Sequence, residues 1–164
     1  MNVVFNADEI FEVAEQIERN GAGFYRKAAE SSALVRAREL LLDLAEQEDE
    51  HEKTFAAMRA ELSQAEKEAT AFDPDNQAVL YLRAIADGRV FDVKSDPSKR
   101  LTGRESIEDI LQTAIGLEKD SIVFYIGIKE LVPPMLGRDR LDEIIAEEMS
   151  HIVTLTEQMN ASAG

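Results

Sequence analysis

Six residues of metal-binding type recur at an offset of 100 positions. Glu18 returns as Glu118, Glu48 as Glu148, and His51 as His151. The flanks repeat with them: Ile10 and Ile110, Ala14 and Ala114, Phe24-Tyr25 and Phe124-Tyr125. Each half thus holds a lone Glu and then a Glu-x-x-His, and His51 and His151 are the only histidines in the chain. On a helix, positions i and i+3 share a face, so the Glu and His of one motif can reach a common ion. Two such motifs on facing helices, with one carboxylate from each of two further helices, form the donor set of a two-metal carboxylate site in a four-helix bundle. Carboxylate oxygen with imidazole nitrogen suits iron and manganese and also accepts zinc. Six protein donors for two ions leave coordination positions open, as catalysis or oxygen binding requires. One Glu-x-x-His among 33 acidic residues would be a weak signal; two, each with a matched upstream Glu, are a strong one.

Four helical patterns must position these residues. The spacing predicts a first helix over about 7–31, with Asn6 as N-cap and an inner stripe of Phe11, Ala14, Glu18, Gly21, Tyr25 and Ala28. A second is expected over about 32–65, some 45–50 Å at 1.5 Å per residue. Its stripe runs through Leu34, Ala37, Leu41, Leu44, Glu48, His51, Phe55, Met58 and Leu62. A third covers about 103–131, with Leu111, Ala114, Glu118, Ser121, Tyr125 and Ile128 on one face. The fourth covers about 138–160, with Leu141, Ile144, Glu148, His151 and Leu155 in line, and 160–164 is expected to fray. All six donors therefore fall on apolar stripes that face a core. A buried, unpartnered carboxylate shifts its pKa or opposes folding, so four together call for neutralising cations. The competing explanation, a solvated charged face with two incidental histidines, does not account for those stripe positions.

The helix pairs, about 7–65 and 103–160, are each joined tightly and read as antiparallel hairpins. Residues 66–102 form a long crossover with a short helix at about 76–87, stopped by Gly88, and a polar loop over 91–102. The apolar cluster 79–85 is expected to act as a lid or a dimer contact. The whole, 1–164, is read as one all-α domain: a four-helix bundle with one long crossover.

The formal net charge of -15 argues against a phosphate-binding surface, so neither nucleic acid nor an anionic membrane is an expected partner. It favours metal cations, although solubility alone is reason enough for it. No cysteine is present, which removes disulfides and thiolate-bound metals and accords with a cytoplasmic location. The N-terminal residues have no signal-peptide pattern, and no apolar stretch approaches transmembrane length. Met58, Met135, Met149 and Met159 are expected to pack in the core. Glu15, Glu46, Glu50, Glu52 and Glu147 lie off the stripes and read as solvated, or as lining an access path for cations. Tyr25 and Tyr125 each follow a stripe Glu by seven residues, which allows either core packing or a hydrogen bond to a ligand.

These motifs resemble the ferritin-like di-iron carboxylate superfamily, most closely its rubrerythrin-like branch. The likeness rests on Glu18 in Gln-Ile-Glu-Arg-Asn-Gly-Ala-Gly-Phe-Tyr, on Glu48-Asp-Glu-His51, on Glu118 in Gly-Leu-Glu-Lys-Asp-Ser-Ile-Val-Phe-Tyr, and on Glu148-Met-Ser-His151. The resemblance implies two iron ions, with Glu48 and Glu148 bridging, Glu18 and Glu118 terminal, and His51 and His151 on one ion each. It implies an oxidoreductase that reduces hydrogen peroxide or oxygen, or alternatively a non-enzymatic protein of iron binding, storage or delivery. It also implies a homodimer, in some members with helices exchanged between protomers. Two departures bear on this. Typical rubrerythrins carry a four-cysteine rubredoxin domain, so electrons here are expected from a separate donor of the rubredoxin or flavin-reductase type. They also carry an extra ligand Glu where this chain has Ser121, matched in the first half by Gly21. Small residues at both places are expected to leave room beside the metals for peroxide or water.

Overall fold

The computed structural model describes residues 6–30, 37–63, 80, 81, 84, 95–129, 131, 132 and 134–162. Among them are four long helices: α1 (Ala7–Ala29), α2 (Arg38–Ala60), α3 (Ile107–Lys129) and α4 (Arg138–Ser162). Short 3-10 turns occupy Pro97–Arg100 and Pro134–Leu136. No helix among the described residues is long and apolar enough to cross a membrane.

The start of α1 is fixed by a reciprocal cap. Asn6 Oδ1 accepts from the Glu9 amide at 2.9 Å, and the Glu9 carboxylate accepts from the Asn6 amide at 3.1 Å. The same device recurs 100 residues on, where Ser106 Oγ accepts from the Asp109 amide at 3.1 Å and Asp109 accepts from the Ser106 amide at 3.2 Å. It places the start of α3 at Ile107 rather than near 103. Gly103 has a φ of 81°, a left-handed conformation outside any helix. Helix α2 has 23 residues, about 35 Å, shorter than its apolar stripe suggested. Leu62 is buried although the helix has ended, so the stripe outruns the helix. Helix α4 continues to Ser162, two residues beyond the expected fraying point.

Two apolar clusters fix the topology. One joins Phe11 at the start of α1, Phe55 and Met58 at the end of α2, Tyr125 and Ile128 at the end of α3, and Leu141 and Ile144 at the start of α4. The other joins Phe24 and Ala28, Leu41 and Leu44, Leu111 and Ala114, and Leu155 from the opposite ends. Hence α1 runs with α4 and α2 runs with α3, and each hairpin is antiparallel. Parallel α2 and α3 need a connection as long as the bundle, which the stretch between them provides. The clusters leave a polar waist at mid-height, where Glu18, Glu48, His51, Glu118, Ser121, Glu148 and His151 are the buried polar residues.

The outer seam of the first hairpin is ionic. Arg19 meets Glu52 at 2.6 Å, Arg26 pairs with Asp49, and Arg59 meets Asp8 at 2.9 Å. Surface pairs of this kind, here exposed to partly buried, are each worth about 0–1 kcal/mol, so they set register more than stability. Met58 is buried, but Met135 is 94% exposed and Met149 49% exposed, against the expectation that both pack.

Most of the expected crossover helix lies outside the described residues, but Leu80, Tyr81 and Ala84 are helical. Tyr81 packs against the first apolar cluster and seats its ring on Gly127 of α3. A Cβ at Gly127 would lie 2.3 Å from the Tyr81 ring. Burial, with a smaller contribution from Asp120, pushes the Tyr81 hydroxyl up to about 12. Gly127→Ala is therefore expected to expel the ring while helix content is retained. A spectrophotometric titration should then show one tyrosine ionising near its ordinary pH of about 10. An unchanged titration curve would mean that the ring is not seated there.

Candidate metal centre

Each of the six residues singled out by spacing projects into the waist. Glu18 comes from α1, Glu48 and His51 from α2, Glu118 from α3, and Glu148 and His151 from α4. All are at most 3% exposed. They form two overlapping quartets: Glu18, Glu48, His51 and Glu148, and Glu48, Glu118, Glu148 and His151. Within each, one donor atom per residue lies within 4.8 Å of the others. Glu48 and Glu148 belong to both, as carboxylates shared between two ions must.

Glu148 divides its oxygens between the halves. Oε1 lies 3.3 Å from His51 Nδ1, and Oε2 lies 3.1 Å from His151 Nδ1. His51 Nδ1 is also 3.4 Å from Glu18, and His151 Nδ1 is 3.2 Å from Glu48 and 3.5 Å from Glu118. Two donors at about 2.1 Å from one ion, at right angles, are about 3 Å apart. The observed spacings are those of neighbouring corners of a coordination shell, slightly expanded. The imidazole rings stack with centroids 5.7 Å apart.

The buried atoms that lack hydrogen-bond partners point the same way. Glu18 Oε2, Glu48 Oε1, both oxygens of Glu148, and Nδ1 of each histidine have none. Orphaned buried polar atoms are rare and costly, and here six of them converge on one place. The Nδ1 atoms sit near carboxylates without the alignment of a hydrogen bond. The residues present therefore fit a pair of divalent cations.

Around this set the tyrosines are held crosswise. Tyr25 of α1 donates to Glu118 Oε1 of α3, and Tyr125 of α3 donates to Glu18 Oε1 of α1. Of the two alternatives that spacing left open, the structure shows the hydrogen bond, and it places the partner in the opposite hairpin. Burial, reinforced by the charges of Glu118 and Glu18 respectively, pushes both phenols well above their ordinary range, so they remain donors. Glu118 and Glu18 thus each have one oxygen fixed by a tyrosine of the other hairpin.

One expectation is corrected. Gly21 does not leave room for a small molecule, because a Cβ there would lie 3.0 Å from Glu48 Oε2. The small residue accommodates the shared carboxylate instead. At the matching position, Ser121 Oγ donates back to the Leu117 carbonyl at 3.1 Å. Glu147 is exposed, as expected of an off-stripe residue, yet its Oε2 accepts from His51 Nε2 at 2.5 Å. Gln47, which the stripe pattern did not single out, accepts from His151 Nε2 at 3.2 Å. The signal for both was the same 100-residue offset, since each directly precedes a shared Glu.

The protonation of the set follows from burial and crowding. Burial, then the charges of Glu48 and Glu118, push the Glu148 carboxyl up to about 8. Burial and Glu148 raise Glu18; burial and Glu18 raise Glu48 well above the carboxylate range. Burial would also raise Glu118, but contacts with His151, Glu148 and Tyr25 outweigh it and hold that carboxyl low. Burial opposes charge on the imidazoles, yet Glu148 and Glu18 push His51 up to about 11, and Glu118, Glu148 and Glu48 push His151 up to about 12.

Without metal, the folded protein therefore binds more protons than the unfolded chain. For Glu148 the excess spans about pH 4.5 to 8, and for the histidines it begins near 6.5. A native proton excess makes stability fall as pH rises. The melting temperature of metal-free protein is expected to drop between pH 6 and 8. The stabilisation by added divalent metal should grow over the same window, because metal displaces those protons. A metal-free melting temperature that rises over that range would contradict this protonation.

Comparison with known proteins agrees with the architecture. The chain superposes on the crystal structure of a protein of Thermotoga maritima described as a candidate ferritin-like diiron-carboxylate protein, with a TM-score of 0.71 and 23% identity over 99% of both chains. No protein-family model and no curated protein matches the chain. The fold is that of the ferritin-like four-helix bundles, and its buried Glu/His cluster is a candidate di-metal site.

Proposed function

We propose that the protein is a di-iron carboxylate oxidoreductase of the rubrerythrin-like kind, reducing hydrogen peroxide or oxygen with electrons from a separate donor. The observation that carries this reading is the convergence of six orphaned donor atoms in two quartets that share Glu48 and Glu148. Glu18 and His51 would hold one ion, Glu118 and His151 the other, with the shared pair between them. When bound, a pair of redox-active ions supplies one electron from each and Lewis acidity.

The protein's own contribution is positioning. Tyr125 and Tyr25 fix one oxygen each of Glu18 and Glu118. Phe55 and Tyr125 on one side, and Leu44 and Ala114 on the other, keep the waist between two apolar clusters. Water exclusion there strengthens every charge interaction and limits side reactions. Manganese or zinc in the same set would keep the binding and, for zinc, lose the redox step.

The reading includes a cytoplasmic homodimer. Val123, Ile126, Met149 and Val153 are exposed on the second hairpin, at the positions where the first carries Gly23, Arg26, Asp49 and Lys53. An apolar seam in place of an ionic one supports burial against a second copy. Sedimentation equilibrium is expected to give twice the chain mass; a single-chain mass would remove the dimer from the reading.

Protein purified without air is expected to hold about two irons per chain, consistent with the two quartets. Glu48→Ala and Glu148→Ala should each lose most of that metal. Peroxide should oxidise the iron faster than oxygen does. Oxidation by oxygen alone, with peroxide inert, would overturn the peroxidase reading. Iron retained in both variants would remove the site itself.

A further inference from the structure

Beneath the matched halves lies a mismatch at the two histidines. His51 Nε2 donates to a carboxylate, Glu147 Oε2, at 2.5 Å. His151 Nε2 donates to a neutral amide, Gln47 Oε1, at 3.2 Å. Positions 47 and 147 correspond under the 100-residue offset, and each reaches across to the histidine of the other Glu-x-x-His helix. In both rings Nδ1 faces the carboxylate cluster, so Nε2 is the atom through which the surroundings tune the ligand.

We infer that Glu147 and Gln47 make the two metal positions unequal, so that the position at Glu18 and His51 fills first. The inference rests on the di-metal reading above. A carboxylate that accepts from the far nitrogen of a ligating imidazole fixes ring orientation and raises ligand basicity. A hydrogen bond to an ionised acceptor is roughly twice as strong as a neutral one. The shorter contact at Glu147 is that kind of bond; the longer one at Gln47 is not. Glu147 also brings one more negative charge to its side of the pair. Its side chain is 57% exposed, which screens the distant part of its field but not a direct hydrogen bond. Loss of such a partner commonly costs 10- to 100-fold in metal affinity, so the two positions should differ by about tenfold or more. Glu147 and Gln47 act through the histidines, as positioning residues.

The test uses the full chain, stripped of metal, with its histidine rings labelled with 15N, and titrates it with Zn2+. With only His51 and His151 in the sequence, His151→Gln assigns both signals. In the unsubstituted protein His51 is expected to respond to the first equivalent and His151 to the second. Glu147→Gln should bring the two responses together, and so should Gln47→Glu. The exchange Gln47→Glu with Glu147→Gln should make His151 respond first. Helix content measured by circular dichroism confirms that each variant folds, and a purely structural role at these positions would not invert the order. Parallel responses in the unsubstituted protein, or His51 still leading after the exchange, would overturn the inference while leaving two bound metals. No response from either ring at excess Zn2+ would overturn both it and the di-metal reading.

Discussion

Everything in this bundle is arranged around four carboxylates that share one dry place. Two unit charges 4 Å apart repel by about 4 kcal/mol at an effective dielectric of 20, and Glu18, Glu48, Glu118 and Glu148 make several such pairs. A fold of marginal stability does not tolerate that without counter-charge. Protons supply it in the metal-free chain, where Glu148 is held up to about 8 and the imidazoles far above their ordinary range. Divalent ions would supply it more fully, because they also satisfy the donor atoms that protons leave orphaned. The apolar clusters at the two ends hold the bundle together from outside the waist, so the waist is free to be strained.

That division of labour explains the choice of residues around the site. Gly21 is small because the Glu48 carboxylate occupies the space a side chain would need. The tyrosines are crosswise, so each hairpin fixes a carboxylate of the other, and assembly of the bundle completes both halves of the site at once. Either hairpin alone would hold three of the six donors and neither tyrosine contact. The matched capping devices at Asn6 and Ser106 set the two lone-Glu helices at equivalent depth, which a symmetric pair of quartets requires.

Much of this was legible in the sequence, because a heptad-like apolar stripe interrupted by Glu and His states both where the core is and what does not belong in it. The four helices, the crossover topology and the burial of six Glu and His residues at one level all follow from that pattern. What it did not carry was contact across the bundle. Tyr25 finds Glu118 and Glu147 finds His51 through interhelical geometry, which no periodicity along one helix encodes. Helix ends were also misplaced, since the stripe of α2 runs past its last helical residue to Leu62, and since Gly103 turns left-handed before α3 begins. Met135 and Met149 are exposed because hydrophobicity alone does not assign a side to a residue near a turn or off the stripe.

The central question is whether the waist holds two ions. Crystals of the protein loaded anaerobically with ferrous iron, measured on either side of the iron absorption edge, test this directly. Two anomalous peaks are expected between Glu48 and Glu148, one within bonding distance of His51 Nδ1 and the other of His151 Nδ1. A waist without peaks, with the carboxylates still buried, would show that protons alone satisfy the cluster and that it is not a metal centre.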